Sequence, residues 1–137
     1  MEIYEIEIKT SEREEIIDIT NDVQEIILKS GIKNGFCILF VPHTTAGITI
    51  NENADPSVKK DILKIFDKLI PYFGDYQHIE GNSAAHAKSI ITGFSQLIMI
   101  KNKNLILGTW QGIYFNEYDG PRNRKLLIQI INIENKN

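Results

Sequence analysis

The feature that most constrains how this chain folds is the apolar run Phe36-Cys37-Ile38-Leu39-Phe40-Val41, which Pro42 cuts short. A short continuous run of branched and aromatic side chains suits a strand buried on both faces. Pro42 has no N–H to give to a ladder, so the chain must leave regular pairing close to His43. The run also holds Cys37, the one cysteine of the sequence, which can form no internal disulfide and is expected as a buried, inert thiol.

Other elements follow from periodicity. Ile3, Ile6 and Ile8 alternate with Glu5 and Glu7 as in a half-buried strand, although Tyr4 breaks the pattern. Residues 15–19 are again β-branched, and Thr20 or Asn21 is placed to cap a helix carrying Val23, Ile26, Ile27 and Leu28 on one face, with Gly31 ending it. Residues 46–51 resume as a strand. Asp55-Pro56 offers an N-cap and a first-turn proline for a helix to about Leu69 that would bury Val58, Ile62, Ile65, Phe66 and Leu69. Pro71 stops it, and residues 72–81 read as a loop. Asn82 or Ser83 caps a third helix that Gly93 ends. Residues 96–100 and 104–107 form a hairpin around Lys101-Asn102-Lys103. Residues 109–118 are a strand, Asp119-Gly120-Pro121 a turn and residues 125–133 the closing strand, with fraying expected from Glu134.

Strands thus outnumber helices by about seven to three, which points to a single α+β domain: a largely antiparallel sheet or sandwich with helices packed on it. At 137 residues the chain buries a core without staples. A formal charge of −3 with interspersed signs leaves no basic stripe, so nucleic acid is not an expected partner. The beginning of the sequence lacks the basic and apolar segments of a secretory signal, and no run reaches the ~20 apolar residues that cross a bilayer. The expectation is no membrane and a cytoplasmic location. Neither a phosphate-cradling glycine loop nor a Gly-x-Ser-x-Gly elbow occurs, so no nucleotide cofactor is expected.

The three histidines all stand in turn-rich places beside other polar side chains: His43 with Thr44 and Thr45, His78 with Glu80 and Asn82, and His86 with Lys88. Neutral imidazole is a common transition-metal ligand, and three can hold zinc with one position open. The eight-residue step from His78 to His86 is not that of a helical zinc site, and surface or hydrogen-bonded histidines fit the local pattern better than a shared metal site. Lys88 follows His86 by two, which puts their side chains on different faces of a helix. Between Gly108 and Arg124, Trp110 could stack on a ring, Arg122 could hold a phosphate, and Glu117 or Asp119 could take a proton or help bind a cation. A plain hairpin with exposed charges is the competing reading. Glu52 and Asp55 look like part of a cation-binding run but lack its spacing, and Asp55 is better explained as a cap.

Together, His43-Thr44-Thr45-Ala46-Gly47 with Ile50-Asn51-Glu52, His78-x7-His86, Gly108-Thr109-Trp110-Gln111 and Asp119-Gly120-Pro121-Arg122 closely resemble the YjbQ-like family, across almost the whole chain. The resemblance implies a β-sandwich with about three helices packed on it, assembled as a homotrimer. It also implies a secondary thiamine-phosphate synthase, a transferase joining hydroxymethylpyrimidine pyrophosphate to thiazole phosphate with release of pyrophosphate. Carried over, His43, His78, His86, Asp119 and Arg122 would be catalytic; Thr44, Thr45, Glu52, Asn82, Lys88, Trp110, Gln111 and Arg122 would contact the phosphorylated substrate. His43, His78 and His86 would bind a divalent metal, zinc first. Two other readings stay open: a metal-dependent hydrolase of a phosphorylated small molecule, and a non-catalytic trimer that binds a small anion or metabolite.

Overall fold

The structure is a computed structural model describing residues 2–133, and the fraying expected from Glu134 lies outside the described residues. In chain order the elements are β1 (Ile3–Lys9), β2 (Glu15–Asp18), α1 (Thr20–Ser30), β3 (Gly35–Phe40), β4 (Ala46–Glu52), α2 (Pro56–Leu69), α3 (Ser83–Thr92), β5 (Ser95–Lys101), β6 (Asn104–Leu105), β7 (Gln111–Glu117) and β8 (Asn123–Asn132). The strands make a five-stranded sheet, β1-β8-β3-β5-β6, and a three-stranded sheet, β2-β7-β4. Every pairing described is antiparallel. This is the expected α+β class.

The two sheets share one core. Cys37 and Leu39 of β3, Ile98 of β5 and Leu126 and Ile128 of β8 come from the large sheet. Ile48 of β4 and Ile113 and Phe115 of β7 come from the small one, and Val23 and Ile27 of α1 fill the space beside them. Each such side chain contributes roughly 1.5–3 kcal/mol through the area it removes from water. Gly47 lets the C-terminal end of α3 approach β4, since a Cβ there would stand 2.4 Å from Thr92 Oγ1.

β3 corrects one expectation. It lies between β8 and β5, yet only its Cys37/Leu39 face is buried, and Phe40 is 45% exposed. Directly paired residues share a face of a sheet, so Phe40, Leu97 and Met99 lie on one outer surface that no helix covers. The apolar run therefore reflects two different apolar faces, one packed and one open.

The helix ends differ in detail as well. Ile19 is the N-cap of α1, and the carboxylate that accepts from Thr20 N and Oγ1 is that of Asp18, at 3.0 and 2.6 Å. Thr20 Oγ1 is engaged across the fold, accepting from Ile113 N at 2.9 Å. Leu28 is exposed on α1. α2 begins as expected, with Asp55 accepting from Ser57 N at 2.9 Å and proline in the first turn. However, α2 buries no residue fully, and Ile65 and Leu69 are exposed, because the helix stands over the outer face of the small sheet rather than the core. Thr109 and Trp110 form a turn, so β7 is shorter than expected. Among the described residues, no helix is long and apolar enough to cross a membrane.

Burial pushes the Cys37 thiol up to about 11. The folded protein at pH 8 is expected to leave an aromatic disulfide reagent unreacted and to consume one equivalent once unfolded in guanidinium. A rapid native reaction would mean that the Cys37 face of β3 opens readily.

Candidate functional site

The site is built around Glu117, the last residue of β7, which is fully buried. Its Oε1 accepts from Thr10 Oγ1 at 2.7 Å and from Arg124 Nε at 2.8 Å. Its Oε2 accepts from Asp119 N at 3.1 Å and from Arg124 Nη2. Arg124 Nη2 also donates to Thr45 Oγ1 at 2.8 Å, fixing the segment after His43. A buried pair satisfied in this way is costly to break from one side, about 3–5 kcal/mol, because the remaining charge is stranded.

The turn after Glu117 is pinned from both directions. Thr10 N donates to Arg122 O at 2.9 Å, and Arg122 N donates to Thr10 Oγ1 at 2.8 Å. Asp119 Oδ2 accepts from Asn82 Nδ2 at 2.8 Å and from Arg122 Nη2 at 2.9 Å, while Arg122 Nε donates to Asp119 O at 2.7 Å. The bond and charge of Asp119 hold the half-exposed Arg122 guanidinium above its already high pKa, so it is a permanent cation. Asp119 engages two of its five N–H donors.

Around this frame lies an open pocket of about 510 Å³, lined by His43, Thr44, Thr45, His78 and Asn82 from the loops and by His86 of α3, with Arg122 and Arg124. Pro42 and Glu80 complete its wall. The His78 and His86 rings meet edge to face with centroids 5.4 Å apart. Asn82 stands at the N-cap of α3, but its side chain reaches Asp119 instead of the helix. The other amide atom, Asn82 Oδ1, is buried with no hydrogen-bond partner, an acceptor that a bound N–H or O–H would satisfy. His43 Nε2 accepts from Lys125 N at 2.9 Å, which requires neutral imidazole with its proton on Nδ1. Burial and then the Arg124 charge lower the His43 pKa.

This hydrogen bond bears directly on metal binding. With Nε2 already accepting and Nδ1 protonated, His43 has no lone pair to give, and among the described residues no group of three His, Cys, Asp or Glu side chains is placed to hold an ion. The residues as arranged do not fit a three-histidine zinc centre.

Eight of the expected site residues therefore converge: His43, Thr44, Thr45, His78, Asn82, His86 and Arg122 on the pocket, and Asp119 directly behind it. The others do not. Glu52 pairs with Gln111 at the far end of the β4–β7 ladder, whose near end is the Ala46–Glu117 pair, roughly 20 Å away at ~3.4 Å per residue. Trp110 is 64% exposed beside them. Lys88 is buried, its Nζ 2.6 Å from Asp67 Oδ1 and 3.1 Å from both Glu14 oxygens. Two residues along a helix turn the side chain roughly 200° away from His86, so the substrate contact expected of Lys88 gives way to a structural ion cluster. Arg124 was not singled out from sequence, yet a signal was present: it keeps period-two step with the buried Leu126, Ile128 and Ile130, an inward position that a lone charge would not occupy.

Fold and site define an α+β two-sheet protein with a polar His/Arg pocket assembled from loops, the first turns of α3 and the start of β8. Residues 4–133 match the family described as UPF0047 protein YjbQ-like, and the chain belongs to that family. It is 53% identical over 129 residues to a UPF0047 protein of Methanocaldococcus jannaschii, covering 94% of each chain. It is 53% identical over 127 residues to UPF0047 protein YugU of Bacillus subtilis, covering 92% of this chain and 96% of that one. Among solved structures, a YjbQ/UPF0047 family protein of Clostridium acetobutylicum is similar with a TM-score of 0.91 at 56% identity, covering 93% of this chain and 99% of that one. A YbjQ-like protein of Sulfolobus solfataricus matches with a TM-score of 0.91 at 34% identity, covering 96% and 97%.

The lowered His43 pKa has a pH signature. Neutral His43 supports the fold above its unfolded value near 6.5, and that support is lost as pH falls through the lower folded value. The melting temperature of the wild type should therefore fall more steeply from pH 7 to pH 5 than that of His43→Gln. Parallel profiles for the two proteins would show that burial and the Arg124 charge do not hold His43 neutral.

Proposed function

We propose that the His/Arg pocket binds a phosphorylated small molecule and that the chain is a transferase of the thiamine-phosphate synthase type. The reaction joins hydroxymethylpyrimidine pyrophosphate to thiazole phosphate. The observation that carries the proposal is Arg122, fixed by Asp119 at the edge of a pocket that also holds three histidines. The bond from the pyrimidine methylene to the pyrophosphate oxygen breaks, the electron pair leaves with the pyrophosphate, and the thiazole nitrogen forms the new bond to carbon. Negative charge grows on the leaving group, and a preorganised guanidinium lowers the barrier most where that charge develops. His78 and His86 are available to carry a proton to the departing phosphate, and Asn82 Oδ1 to orient a donor of the substrate. The thiazole nitrogen is already nucleophilic, so positioning matters more than a strong base.

The metal-dependent hydrolase gains nothing from a donor set that does not fit an ion. The homotrimer draws support from the open apolar surface bearing Phe40, Leu97 and Met99, since large exposed apolar patches mark association sites. Glu52, Trp110 and Gln111 can act in the same site only when a neighbouring copy brings them there. The cytoplasm, which holds phosphorylated precursors, is the compartment that suits this reading.

The purified wild type, given both precursors with and without added divalent metal, is expected to form thiamine phosphate. Arg122→Ala should lower the rate about 100-fold, the typical loss of one charge-stabilising donor. Binding of the pyrophosphate precursor without product from the wild type would replace the transferase by a non-catalytic binder. In light scattering the wild type should show three times the chain mass and Phe40→Glu the monomer; a monomeric wild type would end the trimer reading.

A further inference from the structure

A second cavity, of about 290 Å³, lies on the face of the small sheet that points away from the core. Alternate residues of a strand point to opposite faces, so while Ile113 and Phe115 of β7 enter the core, Tyr114 and Asn116 line this cavity. Ile16 of β2 and Thr49, Asn51 and Glu52 of β4 complete this wall. The roof is the apolar stripe of α2, Ile62, Ile65 and Phe66, with Lys59 at the same spacing. None of the residues around it lines the His/Arg pocket.

Two buried polar groups in the wall lack partners. Asn116 is 2% exposed; its Nδ2 donates to Thr49 Oγ1 at 2.9 Å, but its Oδ1 accepts nothing. The Tyr118 hydroxyl, on a residue 1% exposed, interacts with the Thr92 side chain but has no partner in good hydrogen-bonding geometry. Buried polar groups are almost always satisfied, so each such group asks for a donor or acceptor from something bound. An apolar cavity of about 150 Å³ already takes benzene, and this one has room for a ring with a substituent.

We infer that the cavity between α2 and the small sheet binds a small, ring-sized apolar molecule carrying one hydrogen-bond donor, which Asn116 Oδ1 accepts. The ring lies between Tyr114 and the stripe of α2. This explains why an amphipathic helix stands over the sheet without burying any residue fully.

Phenol and toluene serve as probes, matched in shape but differing in the donor. Titration followed by the methyl resonances of Ile16, Ile62 and Ile65 should give saturable shifts, with phenol binding about fivefold more tightly than toluene, the worth of one net hydrogen bond. Asn116→Leu should erase that preference while keeping toluene. Ile62→Trp or Ile65→Trp, each checked for a cooperative melt, should fill the space and abolish both. Shifts that stay linear to the solubility limit, or binding untouched by the tryptophan variants, would overturn the proposal. So would intermolecular contacts showing that a second copy of the chain fills the cavity. Thiamine phosphate formation is not read in any of these measurements, so this proposal and the transferase stand or fall separately.

Discussion

Glu117 ends a strand of the small sheet and Arg124 is the second residue of a strand of the large one, and the hydrogen-bonded pair between them joins the two layers at the edge where the pocket forms. Two buried charges are tolerable only if the rest of their hydrogen-bonding capacity is met. Thr10, Thr45 and the backbone of Asp119 meet it, and each brings its own segment with it. The position of the loop after His43, of the 119–122 turn and of the first strand's end is therefore decided by one ion pair. Arg122, Asn82 and the histidines are oriented at one remove, through Asp119 and through these segments.

The remainder of the molecule is less evenly packed. The core closes tightly between the sheets, but the outer face of the large sheet is apolar and open, and α2 spans a cavity, touching the body through partly buried side chains such as Phe66, whose ring centroid lies 6.5 Å from that of Tyr118. Charge adds a directional tie between α2 and the body: Lys88 of α3 bonds Asp67 of α2 and Glu14 of the loop before β2. Burial raises the Glu14 pKa despite the lysine beside it. A buried ammonium with two carboxylates is directional where a hydrophobic contact is not, so it fixes where the helix sits without closing the space beneath it. The consequence is a polar pocket and an apolar cavity that share no lining residue.

Much of the fold was legible because local pattern and final structure agree. The alternation at Ile6 and Ile8, the Asp55-Pro56 start of α2 and the glycines at 31 and 93 act over a few residues, and the tertiary structure left them in place. Where packing overrode local preference the reading failed. Thr20 had a better partner in Ile113 N than in its own helix, Asn82 had one in Asp119, and Leu69 had no core to enter. The histidine motifs were legible as polar residues in turns. Their meeting was not, because it depends on contacts between residues as far apart as Thr10 and Arg122.

The sequence by itself determined the class of fold, the chain order of its elements and the membership of His43, His78, His86 and Arg122 in motifs of one family. Those properties are written in periodicities and short spacings that need no third dimension. Only the tertiary structure decided that His43 spends its lone pair on Lys125, that Lys88 turns away from the pocket, that Trp110 and Glu52 stand at the other end of the ladder, and that α2 roofs a cavity. Each of these depends on which backbone or side-chain group arrives from a distant segment. Hydrogen bonds and buried charges act only at contact distance, and contact distance between distant segments is set by the packed fold.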